Sequence, residues 1–432
     1  MFKTLKNIWH VQDLRTRILF TLLVLIVYRI GAFVPVPGVD KSVFEAQNQA
    51  GSELFGLLNT FSGGALFQFS IFALGIIPYI TASIIVQLLS MDVIPKLAEW
   101  AKQGEHGKKK SAQLTRYLTV VLSLIQSFGT AIGFNRLYNA TMVPNATFVD
   151  YLLIAIVLTA GTSFLMWLGE QITEKGIGNG ISILIFAGIA AGIPGHIRNT
   201  AQSQFIQADQ IFMNVLKVII VAIVLVLIVV GVIFIQQGIR KIPVQYAKRV
   251  VGNKMYGGQN THIPMKINAA GVIPVIFAVS LLQFPVIIAN FWSTHQWAKW
   301  VTANLSLNAP LGIAVYVVMI LGFTFFYTFV QMNPQQMADN MKKNGGYIPG
   351  IRPGKATEKY LTRVMTRLTM TGAIFLAVIS ILPVVFGALS GLPKTVQIGG
   401  TSLLIIIGVA LDTMKQIESQ LIKRHYKGFI NK

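Results

Sequence analysis

Long apolar runs alternate along this chain with short polar and basic interruptions, a pattern that predicts helices crossing a membrane. Runs of about 18 or more mainly apolar residues, enough to span a hydrocarbon core of ~30 Å, occur near 18–37, 72–91, 117–137, 151–169, 215–236, 269–290, 309–331, 368–388 and 397–414. A shorter run, 181–195, starts in a glycine cluster. Ten spans are therefore expected, with 54–66 as an extra half-length apolar segment that cannot cross alone. The pattern is most broken in SGGALFQFSIFALGIIPYITASIIVQLL, 62–89, where Gly63, Gly64, Gly75 and Pro78 interrupt helix geometry. Lipid leaves no backbone amide unpaired, so this stretch must be shielded by protein or line a wet cavity.

Composition agrees. Hydrophobic residues make up 53 % and charged residues 12 %, about half the charged share of a soluble domain, and mean hydropathy is +0.62. The expected fold class is an all-α polytopic membrane protein. The first apolar segment has a basic flank but runs into YRIGAFVPVPG rather than a small-residue cleavage site, so it reads as a retained span.

Charge adds an orientation. With the N-terminus placed in the cytoplasm, 29 of the 36 lysines and arginines fall in cytoplasmic segments and five in outside loops, while Arg29 and Lys217 lie inside spans. Positive loops stay inside, so both termini are expected on the cytoplasmic side. The net charge of +21 thus describes one basic face. A topology signal with attraction to anionic lipid is the plainest account of it; nucleic-acid contact and docking of a large partner compete. The basic loops 238–268 and 332–367 run to about 30 residues, well beyond the usual helix connection of roughly 2–8. That length favours docking, with a ribosome as one acidic partner.

Candidate chemistry is sparse. The chain has no cysteine, and its six histidines are scattered with no HExxH pair. Catalysis has no visible nucleophile or metal constellation to run on, which leaves a membrane-interior enzyme a distant reading, and no metal site is expected. An ion-coupled transporter needs buried ionisable groups; the candidates Arg29, Glu170 and Asp412 all suit interfacial positions. GIGNGIS (Gly176, Gly178, Gly180) follows no strand and precedes no Gly-Lys-Ser/Thr, so it reads as a tight turn rather than a phosphate loop. Ile181 and Ile185 then share a helical face, as do Ile76 and Ile80, with Gln87 nearly in line seven residues on. Lipid contact or helix packing is the ordinary account of such isoleucines, and spacing alone does not make them pore-lining.

The strings YRIGAFVPVPG (28–38), 62–89 as above, FLMWLGEQITEKGIGNGISI (164–183), YIPGIRPGKATEKYL (347–361) and GGTSLLIIIG (399–408) closely resemble the SecY family of protein-conducting channels. The likeness runs in order through the chain and weakens at 194–214, at 291–308 and after Lys415. It implies two inverted-repeat halves of five spans, 1–195 and 196–432, around a central hourglass pore. It places a ring of aliphatic side chains at Ile76, Ile80, Ile181, Ile185, Ile276 and Ile405. A narrow apolar collar dewets and resists ions, yet can splay around an extended polypeptide.

The same resemblance makes 54–66 a short re-entrant plug helix, with Leu54, Phe55, Leu57, Leu58, Asn59, Phe61, Gly63 and Gly64; the glycine pair would serve as its hinge. It implies a lateral gate between spans two and three and spans seven and eight that includes Thr81, Gln87, Gln126, Asn268 and Phe284, with polar groups hydrogen bonding weakly across the seam. It assigns docking of the SecA motor ATPase and of the ribosome to Arg240, Lys241, Lys248, Arg249, Arg352 and Lys355. It further implies SecE-like and SecG-like subunits, preprotein substrates with signal sequences, no cofactor, no enzymatic activity and a plasma-membrane location.

Overall fold

A computed structural model describes residues 11–39, 59, 62–66, 68–90, 94–137, 143, 147–201, 211–246, 249–251, 254–256, 260–292, 295–306, 309–390 and 400–430. Ten helices stand where ten spans are expected: α1 (Gln12–Gly31), α2 (Ile77–Leu89), α4 (Gly104–Leu137), α5 (Phe148–Lys175), α6 (Gly180–Ala201), α7 (Ile211–Gln237), α8 (Ile273–Phe291), α10 (Pro310–Gln331), α12 (Lys355–Ser390) and α13 (Gly400–Ile430). Three shorter helices lie between them: α3 (Pro95–Lys102), α9 (Gln296–Asn304) and α11 (Pro334–Lys343). Among the described residues, α4, α5, α7, α10 and α12 include segments long and apolar enough to cross a membrane. Prolines in the first turns of α2, α3, α8, α10 and α11 set the starts of those helices, where a missing N–H costs no hydrogen bond.

The helices pack as two similar sets. In the first, α2 packs on α4, α4 on α5, α5 on α6, and α1 lies against α5 and α6; in the second, α8 packs on α10, α10 on α12, α12 on α13, and α7 lies against α12 and α13. The sets meet along two lines: α8 against α2 and α4, and α13 against α6. One continuous apolar core runs through both and includes Ile84, Leu165 and Leu184 from the first and Val275, Ile320 and Leu404 from the second.

The second span is shorter than its apolar run. Helix α2 covers 13 residues, about 20 Å, and residues 62–66 and 68–76 run mostly in turns. Many of their backbone N–H groups are hydrogen bonded within the protein. Residues 34–36 pair antiparallel with 69–71 through Val36 N–H to the Phe69 carbonyl (3.1 Å) and Ile71 N–H to the Val34 carbonyl (2.9 Å). Helix α5 closes over the turn at Gly161, where an added Cβ would come within 1.9 Å of the Ile71 carbonyl oxygen.

The two long basic loops are not independent. Strands β1 (Ile239–Tyr246), β4 (Asn260–Lys266) and β5 (Gly346–Tyr347) form one antiparallel sheet in the order β4-β1-β5, and β2 (Arg249–Val251) pairs with β3 (Lys254–Tyr256). In the register, Ile242 faces Ile263 and Gln245 faces Tyr347. Helix α12, at 36 residues, is about 54 Å long, far more than a bilayer core needs. Its first turns supply Leu361, Val364 and Met365 to a separate small core with Ile242, Val244, Met265, Met341 and Ile348. The loops therefore fold together as one cap on an extended helix.

Candidate functional site

Four isoleucines converge where the two helix sets meet. Ile76 and Ile80 at the start of α2, Ile185 on α6 and Ile276 on α8 line a single cavity of about 10 Å³, and they are 6, 6, 4 and 8 % exposed. A space of that size is at the limit of what one water needs, so side chains fill most of this meeting point. Ile405, fully buried on α13, belongs to the same core but does not line the cavity. Ile181 does not line it either. Its Cδ1 sits 2.6 Å from where a Cβ on Gly169 would be, because α6 begins hard against α5 and turns that side chain toward α5. GIGNGIS makes this approach possible. An added Cβ on Gly180 would lie 1.9 Å from the Gly169 carbonyl oxygen, and Gly178 has φ +80°. Asn179 accepts the Ser182 N–H at 3.3 Å.

The cavity also has a polar side that the sequence reading missed. Val279, Ser280 and Gln283 of α8 line it with Ile276, at spacings of three, four and seven that put them on one helical face. Extending the Ile276 stripe along α8 would have found them.

The turn below the constriction is held from α1. The Arg29 guanidinium donates to the Gly63 carbonyl at 2.6 Å and the Tyr28 hydroxyl to the Ser62 carbonyl at 3.2 Å. The Tyr28 ring stacks on Phe72, and the Arg29 guanidinium lies 4.9 Å from the Phe33 ring centre. Gly63 and Gly64 adopt φ of +69° and +90°, and a Cβ on Gly63 would be 2.9 Å from the Gly188 Cα of α6. The glycine pair thus forms a clamped turn rather than a free hinge. Asn59 accepts at its carbonyl from the Gly64 N–H (2.8 Å) and the Ser62 hydroxyl (3.1 Å). Of the other expected plug positions, Leu54, Phe55, Leu57, Leu58 and Phe61 lie outside the described residues.

Along the seam, α8 contacts α2 and α4, but the expected polar residues do not bond across it. Thr81, 2 % exposed, donates to the Ile77 carbonyl of its own helix, and Gln87 to Ser83 one turn back. Asn268 lies ahead of α8 and donates to the Gly271 carbonyl at 3.0 Å. Phe284 is half-buried on α8. The Oε1 atoms of Gln87 and Gln126, the Asn268 Oδ1 and both side-chain polar atoms of Gln283 are buried without a partner. A buried polar group left unpaired costs about 1–3 kcal/mol.

The basic positions sit on the cap. Arg240 and Lys241 are exposed and adjacent on β1, so they point to opposite faces of the sheet. Arg249 is the first residue of β2, opposite Tyr256; Lys248 lies outside the described residues. Arg352 is exposed in the loop before α12, which is anchored by buried Ile348 and by the Thr357 hydroxyl donating to the Arg352 carbonyl at 2.9 Å. Lys355 opens α12 and is exposed. Of the candidate relay residues, Glu170 pairs with Arg116 at 2.8 Å with both partly exposed, and Asp412 is exposed. Among the described residues no cluster of His, Asp or Glu could hold a metal ion.

Comparison with known proteins gives a consistent result. The SecY family model matches residues 70–414. Protein translocase subunit SecY of Halalkalibacterium halodurans is 60 % identical over 433 residues, covering all of both chains. A solved protein conducting channel aligns over 94 % of this chain and 92 % of its own with TM-score 0.63 at 19 % identity. Sec61 in a canine ribosome–channel complex from the endoplasmic reticulum aligns over the same shares with TM-score 0.60 at 17 % identity. With a family model covering most of its length and a full-length relative well above half identical, the chain belongs to the SecY family.

Proposed function

We propose that this chain is the pore subunit of a protein-conducting channel, passing unfolded secretory polypeptides between its two helix sets and releasing apolar segments sideways through the α2/α4–α8 seam. The observation that carries this reading is the convergence of Ile76, Ile80, Ile185 and Ile276 from both sets on one closed cavity, in a chain 60 % identical over its full length to a protein named translocase subunit. A collar of branched aliphatic side chains offers a translocating chain no specific hydrogen bond that would hold it, and it dewets when empty. The two similarly packed sets support halves 1–195 and 196–432; since each has five spans, an odd number, they would stand inverted. The Ser62–Gly64 turn, clamped by α1, fits the base of a plug preceding it.

Energy comes from outside the chain. The folded cap, carrying Arg240, Lys241, Arg352 and Lys355, is the docking surface for a SecA-type motor or a ribosome; the likeness to Sec61 from a ribosome complex supports the latter. SecE-like and SecG-like subunits complete the channel in the plasma membrane, with both termini and the cap in the cytoplasm. Translocation of a radiolabelled preprotein into proteoliposomes with SecE, SecA and ATP tests this. Protease-protected preprotein that disappears with Arg352→Glu while the complex still assembles supports both channel and docking role. Equal protection by both proteins refutes the role of Arg352, and no protection by either refutes the channel.

A further inference from the structure

Gln283 places a carboxamide in a wall otherwise built of isoleucine, valine, glycine and serine. It lies seven residues beyond Ile276 on α8, on the same face and about 10 Å further along the helix. The residue is 1 % exposed, and neither its Oε1 nor its Nε2 has a hydrogen-bond partner. The adjoining cavity of about 10 Å³ is at the limit for one water, too little to satisfy an amide oxygen with two acceptor sites and a nitrogen with two donors. Packing does not require glutamine here. Leucine or methionine would fill similar space without burying an unpaired amide.

We propose that Gln283 is a binding site for backbone peptide groups of the polypeptide crossing the constriction, an inference that rests on the channel function proposed above. The carboxamide carries the same donor and acceptor pair as a peptide bond, and every residue except proline presents both an N–H and a C=O. Such a site ignores side-chain sequence, as a channel for many substrates requires. An extended chain drawn through the isoleucine collar loses water from its backbone, and Gln283 returns one partner at a time. A single neutral hydrogen bond in this setting is weak enough to break at each step.

The test uses the assembled channel in proteoliposomes, with a preprotein stalled by a folded domain so that a chosen segment occupies the constriction. Protection of the stalled preprotein by the unmodified channel is established first. Withdrawing ATP then starts backsliding, followed as loss of protease protection. Two segments are compared, one all-amide and one carrying backbone esters, which lack the N–H and accept weakly. With the all-amide segment, Gln283→Leu and Gln283→Met should each slide back about fivefold faster than the unmodified channel, the factor given by ~1 kcal/mol. With the ester segment the variants and the unmodified channel should match. Unchanged rates for the all-amide segment, or an acceleration that persists with the ester segment, would overturn the site. If the unmodified channel protects no preprotein, the channel function falls and the site with it, an outcome read before any variant enters.

Discussion

Replacing Arg29 by methionine tests whether α1 holds the turn beneath the constriction in place. The change keeps most of the apolar stem but removes the guanidinium that donates to the Gly63 carbonyl at 2.6 Å. A hydrogen bond from a charged donor contributes about 1.5–3 kcal/mol; because Arg29 is only part-buried, solvent screening favours the lower end. A loss of ~1.4 kcal/mol shifts the equilibrium between seated and released turn about tenfold. The chain has no cysteine, so a single Asn59→Cys reports turn release without background. In the assembled channel without substrate, its labelling by a maleimide added from outside should run about tenfold faster in Arg29→Met. Tyr28→Phe removes only the 3.2 Å bond to the Ser62 carbonyl and keeps the stack on Phe72, so a rise of about fivefold, the equivalent of ~1 kcal/mol, is expected. Unchanged labelling in both variants, with assembly intact, would refute the anchoring role of α1.

Gly161→Ala would drive a Cβ to within 1.9 Å of the Ile71 carbonyl oxygen, backbone that cannot step aside. Purified channel should lose several degrees of thermal stability, read by a melt in detergent, and a wild-type melt would show that α5 does not lock the 69–76 turns. Ile242→Ala opens the cap core, where Ile242 is 1 % exposed; large-to-small changes of this kind cost about 2–5 kcal/mol. Motor-driven translocation should fall while ion leak through the empty channel stays unchanged, and a rise in leak with normal translocation would disconnect the cap from docking.

The span pattern was legible because apolar length is a local property of sequence: all ten expected runs carry helices. The glycines Gly63, Gly64 and Gly75 marked non-helical backbone and Pro78 the start of α2, since their constraints are also local. What shields that backbone was not legible. The pairing of 34–36 with 69–71 and the approach of Gly161 join residues far apart in the chain. The site was legible in part. Family resemblance pointed to Ile76, Ile80, Ile185 and Ile276, which line one cavity, and also to Ile405, which lies in the same core outside that cavity, and Ile181, which packing turns onto Gly169. Arg29 looked like an interfacial charge, and only the fold brings it to the Gly63 carbonyl.

The sequence by itself determined where the apolar runs lie, which loops gather the basic residues, and the family, because hydropathy, charge and motif strings need no partner to be read. Tertiary structure decided which isoleucines share a cavity, that two loops make one cap, and that the Gln87 and Asn268 amides bond close by in the chain rather than across the α2/α4–α8 contact. These depend on the rotation and depth of each helix against its neighbours. Those are set by close approaches at positions such as Gly161, Gly169 and Gly180, where a difference of one methyl group decides which face points inward.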